Sequence, residues 1–150
     1  MNIKSSEWFE VVCAYDRIGG DGNEENAKEL YLIEASTFSE AEQRVLSELA
    51  ALARGDIDVL QCKRQKYKTV FFADQDCETW YKAKVVFLYI DEKTEKEKKR
   101  KEQFVVNAHN VTEVEHIINT NFTDEDTKVD KVESVDFIDA FFHKKAKTGD

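Results

Sequence analysis

A chain of 150 residues has the size of one domain, long enough to bury a core and short for two ordinary ones. Hydrophobic residues make up 41% and charged residues 35%, which excludes a disordered chain and predicts a core beneath a heavily charged surface. The net charge of −9 excludes indiscriminate binding to duplex DNA unless the basic groups are gathered in one place, so their distribution matters more than the total.

The N-terminal "MNIKSSEW" has no apolar stretch of signal-peptide length and no run approaches 18 apolar residues. A cytoplasmic protein without a membrane partner is expected. Residues 8–15, "WFEVVCAY", place Phe9, Val11, Cys13 and Tyr15 on one side and Trp8, Val12 and Ala14 on the other, the near-continuous apolar pattern of a central strand covered on both faces. The acidic, Gly- and Asn-rich "DRIGGDGNEENAKE" reads as a long hairpin loop before a second strand at "YLIEAS". Ser39-x-x-Glu42, preceded by Phe38, has the form of a capping box, and Ala41, Val45, Leu49 and Leu52 follow at helical spacing to an end near Gly55. A further strand runs through "VLQCKRQKYKTVFF". Asp74, Asp76 and Glu78 then form a polar linker over about 74–78, lacking the continuation that a calcium loop needs.

The second half repeats the first. "WYKAKVVF" (80–87) aligns with "WFEVVCAY" at an offset of 72, "FVVNAHNVTEVE" (104–115) with "YLIEASTFSEAE" (31–42) at an offset of 73, and "AFF" (140–142) with "VFF" (70–72). Thr112-x-x-Glu115, preceded by Val111, repeats the capping signal, and Val114, Ile117, Ile118 and Phe122 repeat the helical stripe. The prediction is an α+β domain over 1–150, built as a tandem pseudo-symmetric repeat (7–73 and 79–143) of two ββαβ units. Its sheets are mostly antiparallel, each covered by one helix, with the first strand of each unit central.

Cys13, Cys62 and Cys77 are odd in number and lack CxxC spacing, which fits a reducing compartment. His109, His116 and His143 are not spaced with carboxylates or cysteines as a metal site demands, and no nucleophile elbow, phosphate-cradling loop or HExxH is present. No enzyme, metal or cofactor is expected. The most suggestive chemistry lies in "CKRQKYKTVFF": on an extended strand Lys63, Gln65, Tyr67 and Thr69 share one side and Arg64, Lys66 and Lys68 the other. Cations beside an exposed tyrosine suit a single-stranded nucleic acid, charge for the phosphates and a ring for base stacking. The same lysines also suit a protected sheet edge. Lys98, Lys99, Arg100 and Lys101 form a second basic block, inside a run from Asp91 to Glu102 whose charges nearly cancel and which reads as a solvated hairpin tip. The tail "HKKAKTGD" adds three lysines.

Taken together, "WFEV", "YLIEASTFSEAE", "KRQKYKTVFF", "WYKAKVVFLYIDEKTEKEKK" and "FIDAFF" resemble an uncharacterised family of short proteins from Bacteroidetes genomes and their phages and mobile elements, over about Trp8 to Phe142. The resemblance implies a non-secreted accessory protein and carries over no catalytic residue. Three functions are open. The first is binding of single-stranded DNA or RNA through Lys63, Arg64, Lys66, Tyr67 and Lys68, with Lys98–Lys101 nearby. The second is an inhibitor or adaptor that docks on a host protein or ribonucleoprotein such as a CRISPR effector, a role that the −9 charge serves. The third is self-assembly through Phe71, Phe72, Phe141 and Phe142, whose repetition more simply means core.

Overall fold

The computed structural model of the chain describes residues 7–73 and 77–142. Their order is β1 (Glu7–Ile18), β2 (Glu24–Ala35), α1 (Phe38–Leu49), β3 (Asp58–Gln65), β4 (Tyr67–Phe71), β5 (Trp80–Ile90), β6 (Glu97–Asn107), α2 (Val111–Asn121), β7 (Asp126–Val135) and β8 (Phe137–Phe141). The fold is the expected α+β arrangement of two similar β-β-α-β units with two four-stranded sheets, ordered β3-β1-β2-β8 and β4-β6-β5-β7. Even the irregularities repeat. The β1–β3 ladder shifts register between Val12 and Cys13, and the β5–β7 ladder shifts between Lys84 and Val85, 72 positions later.

The sequence repeats and the compact units do not coincide. Only Lys66 separates β3 from β4, and only Asp136 separates β7 from β8. A one-residue link cannot make a hairpin, so each chain end continues onward instead of folding back on its neighbour. Strand β8 pairs in parallel with β2, and β4 pairs in parallel with β6. One unit therefore holds residues 7–66 with 137–142, and the other runs from Tyr67 to Asp136. Each repeat supplies the last strand of the other's sheet.

In the first unit, Phe9, Val11, Cys13 and Tyr15 of β1 bury against Ala41, Val45 and Leu49 of α1. In the second, Ala83, Val85 and Phe87 of β5 and Phe104 of β6 bury against Val114 and Ile118 of α2. Burial of each large side chain contributes about 1.5 to 3 kcal/mol, which makes these stripes the main tie between helix and sheet. Phe141 joins the first cluster and Phe71 the second, while Phe72 and Phe142 keep partial exposure.

Four local expectations are corrected. The helices are capped two residues earlier than the Ser39 and Thr112 signals: the Thr37 hydroxyl accepts from Glu40 N, and the Asn110 side chain accepts from Glu113 N. Leu52 lies beyond α1 and is exposed. The first hairpin loop is short, because β1 and β2 stay paired as far as Ile18 and Glu24, and Gly22 supplies the positive φ of its turn. Lys98–Lys101 are not a hairpin tip; they sit within β6, opposite Tyr89, Leu88, Phe87 and Val86. No helix among the described residues is long and apolar enough to cross a membrane.

Candidate functional site

The basic stretch that looked continuous in sequence is divided between the two units. Lys63 and Arg64 end β3, Lys66 is the link, and Lys68 belongs to β4. Arg64 is engaged by its own unit: Nε lies 2.9 Å from a Glu7 carboxylate oxygen, and the guanidinium covers the rings of Phe9 and Phe38 at 5.1 and 5.0 Å. Lys68 Nζ is 3.6 Å from Glu102. Tyr67 is corrected outright, since only 7% of it is exposed and Lys82 Nζ stands 5.7 Å from its ring centre. A sealed ring offers no base a surface to stack on.

The second block is split by the alternation of β6. Lys98 and Arg100 point to the side of α2, where Lys98 pairs with Asp91 at 3.0 Å and Arg100 meets Glu102 and Glu125 at 3.1 and 3.6 Å. Arg100 also lies over the Phe87 ring at 4.5 Å. The Glu102 carboxylate, with Glu125 beyond it, explains why the Arg100 guanidinium stays protonated beyond the usual range. Lys99 and Lys101 point the other way.

That other face is where positive charge gathers. Directly paired residues of an antiparallel ladder share a face, so register locates each side chain. Val86 of β5 lies between Lys101 of β6 and Lys128 of β7, Lys84 between Gln103 and Lys131, Leu88 between Lys99 and Asp126, and Lys82 between Val105 and Glu133. The sheet face away from α2 thus carries Lys82, Lys84, Lys99, Lys101, Lys128 and Lys131, against Glu97, Asp126, Glu133 and the exposed bulge residue Asp130. Lys131 pairs with Glu133 at 3.7 Å. Among the described residues no ion pair joins Lys84, Lys99, Lys101 or Lys128 to a carboxylate within 4.0 Å. The first unit shares the framework and only one of these six lysines. Register and repeat alignment set Glu10, Val12, Asn26, Asp58 and Gln61 where the second has Lys82, Lys84, Lys99, Lys128 and Lys131, and keep a lysine, Lys28, in the place of Lys101. More lysines therefore gather on this face of the second unit than on its counterpart in the first.

A second constellation joins residues that are distant in sequence. Cys77 Sγ lies 3.5 and 3.3 Å from Nδ1 and Nε2 of His109, and His109 Nδ1 lies 3.1 and 3.2 Å from the two carboxylate oxygens of Glu113. His109 stands just before α2 and Glu113 in its first turn. The Glu113 carboxylate also accepts from the His109 backbone N–H at 2.8 Å, and that bond with the imidazole contact holds its carboxyl below the ordinary range. Buried Asn107 donates from Nδ2 to the carbonyls of Cys77 and Thr79, both at 2.9 Å, fixing the segment that presents the thiol. Cys77 and His109 were each seen in the sequence, but separately, because only the β5–β6 ladder brings position 77 beside position 109.

The first unit contains a buried polar knot of its own. Glu29 accepts from the hydroxyls of Tyr31 and Tyr15 at 2.5 and 2.7 Å and from Arg17 at 2.6 Å. Its three donors are at hydrogen-bond distance and its side chain is nearly closed to solvent, so this carboxylate is satisfied rather than poised.

His143 and the three tail lysines lie outside the described residues, as do Asp74 and Asp76. Comparison with curated proteins and with solved structures finds no match. Residues 7–144 match a family described only as a domain of unknown function, and the chain belongs to that family, DUF4494.

Proposed function

We propose that the chain is a non-enzymatic accessory protein that holds single-stranded nucleic acid by its phosphates, on the lysine face of the second unit. The observation that carries this reading is the set of Lys84, Lys99, Lys101 and Lys128, gathered on one exposed sheet face of a chain whose net charge is −9. Cations on neighbouring strands or two positions apart stand roughly 5 to 7 Å from one another, where each pair repels by about 0.6 to 0.9 kcal/mol even in water. A polyanion relieves that repulsion and gains counterion release as well. Half-buried Val86 and Leu88 lie among the lysines and give apolar contact that the exposed bases of a single strand can use and a closed duplex cannot. With no aromatic ring in the middle of this face, recognition falls on the backbone and tolerates any sequence. A cytoplasmic setting, and an origin in a phage or mobile element, fit the family resemblance and this accessory role.

Titration of a labelled single strand tests the reading. Binding should weaken with salt at a log–log slope of roughly −3 to −4, as expected for about four to six phosphates on a single strand. A Lys101→Glu, Lys128→Glu variant should lose binding, and Arg64→Glu should keep it. Absence of binding at low salt would end the proposal.

One observation favours a second reading. The corresponding face of the first unit carries Glu10, Asp16, Glu24 and Asp58 against Lys28 and Lys63, a surface with an acidic excess suited to the basic channel of a host nucleic-acid-handling protein. A protein recovered from host lysate after nuclease treatment, and lost with Asp16→Lys, Asp58→Lys, would select this reading over the first.

A further inference from the structure

The Cys77, His109 and Glu113 cluster has a built-in comparison in the first unit. There the helix-capping glutamate is Glu40, which likewise accepts from the backbone N–H before the cap, at Ser36, but its second oxygen is held by Arg44 at 3.3 Å. In the second unit the repeat sets His109 where the first has Ser36 and Ile117 where it has Arg44. Capping therefore needs neither a histidine nor an uncompensated carboxylate. The second unit has exchanged a neutralised glutamate for one that faces an imidazole and a thiol.

Thiolate, imidazole and carboxylate are the three ligand types of zinc, with distances near 2.3 Å for sulfur and about 2.0 to 2.2 Å for nitrogen and oxygen. A tetrahedron of those bond lengths separates its sulfur and nitrogen corners by roughly 3.6 Å and its nitrogen and oxygen corners by roughly 3.3 Å. The observed separations are 3.3 to 3.5 Å from sulfur to nitrogen and 3.1 to 3.2 Å from nitrogen to oxygen, and the three ligand atoms all fall within 4.8 Å of one another. The sulfur is almost equally far from both ring nitrogens and so lies off the lone-pair axis of each; a proton relay would need it on that axis, and a shared ion needs a turn of the exposed imidazole. Asn107 holds the Cys77 backbone, and the cap holds Glu113, so two of the three ligands are positioned by other bonds.

We propose that Cys77 Sγ, an imidazole nitrogen of His109 and a carboxylate oxygen of Glu113 bind one divalent ion of the zinc class, with the fourth tetrahedral corner left to solvent or a small ligand. The other two cysteines are poor rivals. Burial pushes the Cys13 thiol up to about 11, and burial also raises Cys62, so both stay protonated at neutral pH.

The test uses reduced, untagged full-length protein and two metals. Cobalt(II) should bind one equivalent per chain and produce a thiolate-to-cobalt band in the near ultraviolet; zinc should displace it and raise Tm. Cys77→Ser and His109→Ala should lose the band and bind at least about a hundredfold more weakly, beyond the roughly 10- to 100-fold of an outer-shell change. Cys62→Ser should behave as wild type. Should either ligand variant unfold, Glu113→Gln supplies the readout, because its amide oxygen still accepts from His109 N while the anionic ligand is gone. No saturable binding by wild type, a band that persists in Cys77→Ser, or a band lost in Cys62→Ser would overturn the site.

Discussion

Arg17 donates to Glu29 at 2.6 Å, and the same carboxylate accepts the hydroxyls of Tyr31 and Tyr15, so one acidic group ties β1 to β2 at the end of the first core. Burial alone would push the Glu29 carboxyl up. Bonds from Tyr31, Tyr15 and Arg17 outweigh it and hold the group below its ordinary range. Burial and the Glu29 bond push Tyr31 well above the usual phenol range. The two signs differ. A depressed carboxyl stabilises the fold above its unfolded value near 4.3 and loses that contribution as pH falls through the lower folded value. A raised phenol contributes fully below about 10 and loses its contribution as pH rises beyond. Denaturant unfolding across pH should therefore show a plateau between roughly 5 and 10, and Glu29→Gln should flatten the acid limb. An unchanged acid limb in that variant would remove Glu29 from the account.

Capping gives a prediction with an internal control. Thr37 and Asn110 accept from the N–H groups of Glu40 and Glu113, whereas Ser39 and Thr112 already lie inside their helices. Thr37→Ala and Asn110→Ala should each cost about 1 kcal/mol. Ser39→Ala and Thr112→Ala should stay within about 0.5 kcal/mol, the ordinary range of a surface change. Equal costs for the two sets would return the caps to the later positions.

The lysine face should carry a stability penalty that salt removes. Lys101 and Lys128 flank Val86 on opposite strands, and Lys99 lies two positions from Lys101 on the same face. Replacing Lys101 by Gln should raise stability by about 0.3 to 0.8 kcal/mol at low salt and by almost nothing at 1 M, where the screening length falls to about 3 Å. Destabilisation at low salt would mean that Lys101 has an attractive partner, and the case for a face awaiting an anion would weaken with it.

What the sequence made legible was whatever repeats locally. Alternation in Phe9, Val11, Cys13 and Tyr15 located a buried strand face, and Ala41, Val45 and Leu49 located the helix stripe, because both periods are visible within one element. The caps were misplaced because "STFSEAE" holds two overlapping Ser/Thr-x-x-Glu patterns, and only the N–H geometry chooses Thr37-x-x-Glu40 over Ser39-x-x-Glu42. The lysine face was invisible for another reason: its members are scattered from position 82 to position 131 over three strands, and register alone collects them. Tyr67 misled because an aromatic beside lysines reads as exposed, whereas its place at the start of β4 seals it. Cys77 and His109 are 32 positions apart, beyond the reach of any spacing motif.

Strand exchange makes the sharpest prediction, because sequence and structure assign the same phenylalanines to opposite halves. Phe141 ends the second repeat yet stacks on Tyr31 of the first unit, with ring centres 5.4 Å apart. Phe71 ends the first repeat yet packs on Phe104 and Phe122 of the second unit, at 5.7 and 6.4 Å. Both are partly buried, so truncation to alanine should cost about 2 to 3 kcal/mol, less than the roughly 3 to 5 of a fully buried phenylalanine. The location of the loss discriminates more than its size. Amide exchange under native conditions reports openings unit by unit, and a missing ring should loosen first the sheet it packs on. Phe141→Ala should speed exchange in β2 and α1 while leaving β5 and β6 protected, and Phe71→Ala should do the reverse. If Phe141→Ala instead loosened β6 and α2, each repeat would be closing on its own last strand, and the exchanged pairing of β8 with β2 would have to be abandoned.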